Sequence, residues 1–164
     1  MKTDVNGDTM WTRRYFLNIG YGQGNAVLQT SDGGYIIGGQ GKTQLITNSN
    51  DTHDGLVIKT DANGDIAWFT EIQDSGQYVL ESVDDIKPTS DGNYILVSSH
   101  YPPQIYHNVT GVNKLIHLVK IDTSGTILWR KEIADLWGKY EGHSSLVQDL
   151  DGGYTVSCNG GGGS

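Results

Sequence analysis

Apolar and polar positions alternate along this chain in short runs. Each run breaks at a cluster of Asp, Asn, Ser and Gly. In "LVIKTDANGDIAWFTEI" (Leu56 to Ile72), β-forming residues flank the centre Asp-Ala-Asn-Gly-Asp. Strands need a two-residue period, and tight turns need residues that tolerate positive φ, so this stretch predicts a β-hairpin. "AVLQTSDGGYIIGG" (Ala26 to Gly39) has the same form around Asp32, Gly33 and Gly34. Long stripes of helical period are missing.

Both hairpin types recur. "KTDVNGDTMW", "KTDANGDIAW" and "KIDTSGTILW" begin at Lys2, Lys59 and Lys120, and their tryptophans, Trp11, Trp68 and Trp129, are spaced 57 and 61. "TSDGGYIIGG", "TSDGNYILVS" and "DLDGGYTVSC" hold Asp32, Asp91 and Asp151, spaced 59 and 60. Two motifs on one period make a structural repeat of two hairpins, or four strands. Four strands in about 60 residues suit a β-propeller blade somewhat longer than common ones. A plain β-sandwich does not require Trp at one place in every second hairpin. Blades packed face to face do, because one large ring fills the same gap each time.

The expected hairpins are 1–17, 25–40, 54–72, 81–99, 114–133 and 143–158. If the "DGGY" hairpin is the inner pair of a blade and the "W" hairpin the outer pair, the chain holds two full blades and two complementary half blades. Closing it on itself gives three blades, below the usual four to eight. The ends are therefore expected to pair either with the rest of a longer protein or with another copy, joined head to tail by the N-terminal hairpin of one chain and the C-terminal hairpin of the next, as a ring or a filament. Residues 1–158 form the repeat region, and 159–164, ending in "GGGGS", read as a Gly-rich tail or linker. The repeat framework rests on Asp4, Gly7 and Trp11; Asp61, Gly64 and Trp68; Asp122, Gly125 and Trp129; and Asp32, Asp91 and Asp151. Gly39, Ser98 and Cys158 fall at equivalent places, so Cys158 reads as a small strand residue in a crowded layer.

Composition narrows the function. Of 164 residues 23 are Gly, twice the usual share, which fits a turn-rich β-protein. There are 19 acidic and 11 basic residues, a net charge of -8, and no basic patch, so a nucleic-acid surface is not expected. Apolar runs are too short for a membrane helix, and no signal segment is visible. One cysteine forms no internal disulfide.

Candidate chemistry is sparse. Asp4, Asn6, Asp8 and Asp61, Asn63, Asp65 place oxygens at alternate positions, as calcium loops do. The longer loop and late Glu of an EF-hand are missing, so these read as turns. His53, His100, His107, His117 and His143 read as surface or packing residues, without zinc spacing. Asp84 and Asp85 are adjacent on a strand and should point to opposite faces, which disfavours an acid pair. No nucleophile elbow or phosphate loop appears. The expectation is no enzyme, no metal and no cofactor. The long connections 41–54 and 100–113 should emerge together on one side. Tyr101, Tyr106 and His107 form a candidate partner-binding loop for a protein or glycan, and Asn50 and Asn108 are glycosylation sequons.

The pairing of "KTDANGDIAW" with "TSDGNYILVS" resembles secreted bacterial and archaeal β-propeller proteins with repeats of the form "hlvKtDsnGnilW…tsDGGYiiaG". The likeness runs over residues 1 to about 158. It implies a propeller and an extracellular or cell-surface location, and says little about function. The third copy departs from it, with "DTSG" and "DLDGGY". Quinoprotein dehydrogenases carry a related docking motif one residue longer, and sialidase Asp boxes set Asp and Trp too close to fit. The resulting expectation is a non-enzymatic extracellular structural or binding module that self-assembles. The alternatives are a piece of a larger propeller enzyme or receptor, or a carbohydrate-binding propeller.

Overall fold

The computed structural model describes residues 1–15, 22–41, 54–72, 80–101, 114–136 and 144–158. These residues form twelve strands and no helix. The strands are β1 (Lys2–Thr3), β2 (Thr9–Trp11), β3 (Gly22–Gln29), β4 (Tyr35–Gly41), β5 (Asp54–Thr60), β6 (Ile66–Ile72), β7 (Leu80–Pro88), β8 (Tyr94–Tyr101), β9 (Lys114–Ile121), β10 (Ile127–Leu136), β11 (Ser145–Gln148) and β12 (Tyr154–Ser157). They make two four-stranded antiparallel sheets, β3-β4-β5-β6 and β7-β8-β9-β10, and two separate hairpins, β1-β2 and β11-β12. All six expected hairpins are present.

The turns explain why the strands begin and end where they do. In the second hairpin of the first sheet, the Asp61 N–H donates to the Asp65 carbonyl (2.9 Å) and the Gly64 N–H to the Asp61 carbonyl (3.2 Å). Asp61 Oδ1 accepts the N–H groups of Asn63 (2.8 Å) and Asp65 (2.9 Å). Gly64 closes the loop at φ 83°, a conformation that crowds any Cβ. The turn is therefore a three-residue loop in which the glycine takes the positive φ. Asp4 and Asp122 accept the same two N–H groups in their own turns.

Of the 1–17 expected for the first hairpin, residues 16 and 17 lie outside the described residues, and within 1–15 the strands are short, at Lys2–Thr3 and Thr9–Trp11. Its counterparts β5 and β9 are central strands bonded on both edges, whereas β1 is bonded to β2 alone. A two-stranded ribbon with both outer edges open has little to hold its ends.

The sheets pack in chain order. One core cluster joins Ile36, Val57 and Ile72 of the first sheet to Val83, Ile86, Tyr94, Leu96, Val119 and Ile121 of the second. A second cluster joins Ile95, Val97, Ile116 and Leu118, on the opposite face of the second sheet, to Leu146 of β11. The alternation along β8 thus feeds two cores at once. Ile95, Leu96 and Val97 are all fully buried. The far face of the first sheet receives β1-β2, where Trp11 meets Tyr35 edge to face at 5.9 Å.

Cys158 departs from the expectation. Its counterparts Gly39 and Ser98 lie inside strands and are buried, but β12 ends at Ser157 and Cys158 is exposed. Among the described residues β12 has no neighbouring strand besides β11, and none extends the ladder that far.

Candidate functional site

Three contact types recur from sheet to sheet. The first is a clamp inside each four-stranded sheet. Lys59 Nζ of β5 reaches Asp32 Oδ2 of the preceding turn at 2.7 Å, and Lys120 Nζ of β9 reaches Asp91 Oδ2 at 2.6 Å. The ammonium is largely buried in both cases. The Lys59 ammonium, then the Thr30 hydroxyl and the Gly34 N–H, hold the Asp32 carboxyl far below its ordinary range. Lys120, Thr89 and the Asn93 N–H do the same for Asp91. Asp91 in turn raises Lys120. The clamp ties the first hairpin of each sheet to the second. The two separate hairpins carry its halves: Lys2 on one and Asp151 on the other, neither with an ion-pair partner among the described residues.

The second contact is Trp on glycine between sheets. A Cβ on Gly64 would lie 2.9 Å from Cη2 of Trp11, and a Cβ on Gly125 would lie 2.7 Å from Cε3 of Trp68. Each turn glycine thus seats the tryptophan ring of the preceding Trp-bearing hairpin. The Trp68 Nε1–H donates to the Thr123 carbonyl (3.2 Å) and Thr70 Oγ1 to the Gly125 carbonyl (2.7 Å). The Tyr15 hydroxyl makes the matching bond to the Gly64 carbonyl at 3.0 Å. Here again one set is split. Among the described residues nothing lies near the place of a Cβ on Gly7, and Trp129 is 37% exposed.

The third contact is a latch at a β-bulge. The register slips between Gly24 and Ala26 and again between Val83 and Asp85. At the first bulge Asn25 Nδ2 donates to Ser82 Oγ (2.8 Å) and to the Val83 carbonyl (3.0 Å). At the second, Asp84 Oδ2 accepts the Ser144 N–H (3.2 Å), while Asp85 Oδ2 accepts Ser145 Oγ (2.8 Å) and the Leu146 N–H (3.1 Å). Asp84 and Asp85 therefore reach the same segment rather than opposite faces, because the bulge breaks the two-residue period. Burial pushes the Asp85 carboxyl up, but bonds from Lys87, Ser145, Leu146 and Ile86 outweigh it and leave the group below its ordinary value.

Two buried polar groups escaped the sequence reading. Asp54, at the start of β5, is 8% exposed, and desolvation followed by repulsion from Glu71 raises its carboxyl. On the second sheet, Glu81 of β7, His100 of β8, His117 of β9 and Arg130 of β10 form one row. Arg130 Nη2 donates to Glu81 Oε1 (2.8 Å) and to His117 Nδ1 (2.9 Å), and lies 3.5 Å from His100 Nδ1. His100 and His117 are buried, not surface residues, and their rings are 5.1 Å apart. The signal was available in the repeat alignment. The same places in the first sheet, relative to Asp32, Lys59 and Trp68, hold Gly22, Gly41, Leu56 and Phe69.

Of the candidate partner loop, Tyr106 and His107 lie outside the described residues, as do Asn50, Asn108, His53 and His143. Tyr101 ends β8. The carboxylates of Asp4, Asp61 and Asp122 point into their own turns, where backbone N–H groups occupy them. Among the described residues no helix is long and apolar enough to cross a membrane. No protein-family model matches the chain, and no curated protein matches it.

Proposed function

We propose that this chain is a non-enzymatic β-propeller module whose activity is assembly. In this reading, β1-β2 of one copy and β11-β12 of another complete a four-stranded blade. The observation that carries it is the split contact set. The Lys–Asp clamp is made twice within the chain, and its third instance is divided between Lys2 and Asp151. The Trp–glycine seat is likewise made twice, and its third instance is divided between Trp129 and Gly7. Apolar faces match in the same sense. Val27, Ile86 and Leu146 hold one repeat position, five residues before the aspartate. Ile86 and Leu146 are each 3% exposed, but Val27 is 69% exposed. On the face of β11 away from the core, Val147 is 51% exposed. A blade completed across two chains would cover Val27 and pair the open edge of β1, which otherwise invites unspecific strand addition.

The resemblance to secreted propeller repeats supports an extracellular or cell-surface setting for such a module, serving as scaffold or partner-binding unit.

Native mass and light scattering test this reading. The chain should form a defined multimer, and deletion of residues 1–15 should abolish it. Lys2→Asp and Asp151→Lys should each weaken the multimer, and combining both in one chain should restore it. A wild-type monomer at tens of micromolar, or a multimer indifferent to the deletion, would sink the reading.

A further inference from the structure

We propose that Glu81, His100 and His117 form a binding site for a borderline divalent metal ion, Zn2+ in the first place, which exchanges with the guanidinium of Arg130. One carboxylate oxygen and two imidazole nitrogens lie within 4.8 Å of one another. All three residues are buried, at 2%, 3% and 4% exposure. They come from three adjacent strands whose register sets them side by side. Glu81 pairs with His100, and His117 pairs with Ser98, two residues before His100 on the same face.

The three groups converge on one point, and that point carries positive charge. Arg130 Nη2 is 2.8 Å from Glu81 Oε1, 2.9 Å from His117 Nδ1 and 3.5 Å from His100 Nδ1. A terminal guanidinium nitrogen has two N–H bonds to share among three neighbours. Arginine accepts no hydrogen bond, so the His117 Nδ1 lone pair faces the cation, as metal ligation requires. A metal ion there would meet its ligands at about 2.0–2.2 Å, so the cradle must contract around it. Two nitrogens and one oxygen are a donor set for zinc, leaving a fourth position open, and are less suited to calcium or magnesium.

The surroundings fit a ligand set as well. Ser98 Oγ donates to Glu81 Oε1 at 3.3 Å. His117 Nε2 faces Glu132 Oε2 at 3.9 Å, so a carboxylate stands behind the imidazole on the side away from the proposed ion. Arg130 is the most accessible member, its side chain 20% exposed against 2% for Glu81. It is the group able to leave. The loss of a monovalent cation as a divalent one enters keeps the buried carboxylate compensated throughout.

The test is cobalt and zinc titration of the full chain after chelator treatment, read by the visible absorption of bound Co2+ and by thermal melting. One equivalent should bind per chain. Arg130→Met should bind about tenfold more tightly, because a competing charge has gone. Replacing His53, His107 and His143 together by Gln should leave the cobalt spectrum unchanged. Replacing His100 and His117 together should remove it. Zinc should raise the melting temperature of Arg130→Met more than that of wild type, a readout that stands even if the double His variant does not fold. Absorption that survives loss of His100 and His117 would overturn the proposal, as would its absence from both wild type and Arg130→Met. Binding by Arg130→Met alone would also overturn it for the natural chain, leaving Arg130 as the permanent cation.

Discussion

The two four-stranded sheets share turns, strand order, a bulge in the first strand and a Lys–Asp clamp, yet their first two strands are built differently. In the first, β3 and β4 carry Gly22, Gly24, Gly38, Gly39 and Gly41. In the second, the same places hold Glu81, Val83, Val97, Ser98 and His100. The thin strand receives the thick one. A Cβ on Gly38 would sit 2.6 Å from Val83 Cγ1, and a Cβ on Gly55 would sit 3.1 Å from Glu81 Cγ. Facing positions thus compensate in volume across the seam, as close packing demands. The difference teaches that the repeat conserves what the backbone needs locally, and leaves the facing side chains to be settled pair by pair.

The largest effect should separate Ile86 from Val27. Ile86→Ala empties a position buried between sheets and should cost about 2–5 kcal/mol in thermal or denaturant melts. Val27→Ala, at the equivalent exposed place, should change a dilute sample by less than about 0.5 kcal/mol. If Val27→Ala instead destabilises in proportion to protein concentration, another copy covers that face. Equal effects at both positions under dilution would break the comparison.

Next come the tryptophans. Trp68 fills the seat at Gly125 and donates to the Thr123 carbonyl, so Trp68→Ala should cost up to about 3 kcal/mol. The ring of Trp129 lies 6.1 Å from that of Tyr154, centre to centre, but has no glycine seat among the described residues, and Trp129→Ala should cost clearly less in the dilute chain. A melt of Trp68→Ala that overlays the wild type would remove the seat from the argument.

How much of this was readable beforehand depends on the range of the interaction. Turns such as Asp61–Asp65 were legible because their bonds join residues no more than four apart. The six hairpins followed from them. The clamp and the latch were not legible, since Lys59–Asp32 and Asp84–Ser144 need strand register and a bulge. The single inserted residue also reversed the expectation for Asp84 and Asp85. The row of Glu81, His100, His117 and Arg130 spans four strands, and no local spacing marks it. It shows only when the second repeat is laid on the first and ionisable residues stand where Gly, Leu and Phe stood.

A smaller effect distinguishes the seams by pH. The seam between the sheets is latched by an amide, Asn25, which does not titrate. The seam to β11 is latched by Asp84 and Asp85. The folded Asp85 carboxyl lies below its unfolded value, so its stabilisation is full above the unfolded pKa. It is lost as pH falls through the ordinary carboxylate range and below. Asp54 has the opposite sign: its raised carboxyl weakens the fold at neutral pH and the penalty lifts on acidification. Proton-dependent melts of Asp85→Asn and Asp54→Asn should therefore shift in opposite directions at pH 7, down for the first and up for the second. Shifts of the same sign would show that the two carboxyls do not differ in this way.

The smallest expected effect is none. Calcium added to metal-free protein should leave the melting temperature where it was, because backbone N–H groups already occupy Asp4, Asp61 and Asp122. A rise of several degrees would recast these turns as ion sites.

The double-sided burial of β8 has a consequence for the order in which the molecule comes apart. Amides at Ile95, Leu96 and Val97 are shielded by the first sheet on one side and by β11-β12 on the other, whereas β1-β2 leans on a single neighbour. Opening should then begin at the two outlying hairpins and move inward, with solvent deuterium reaching the amides of the first hairpin early and those of β8 last. The second sheet should then be the last part of the stack to exchange, and the outlying hairpins the first.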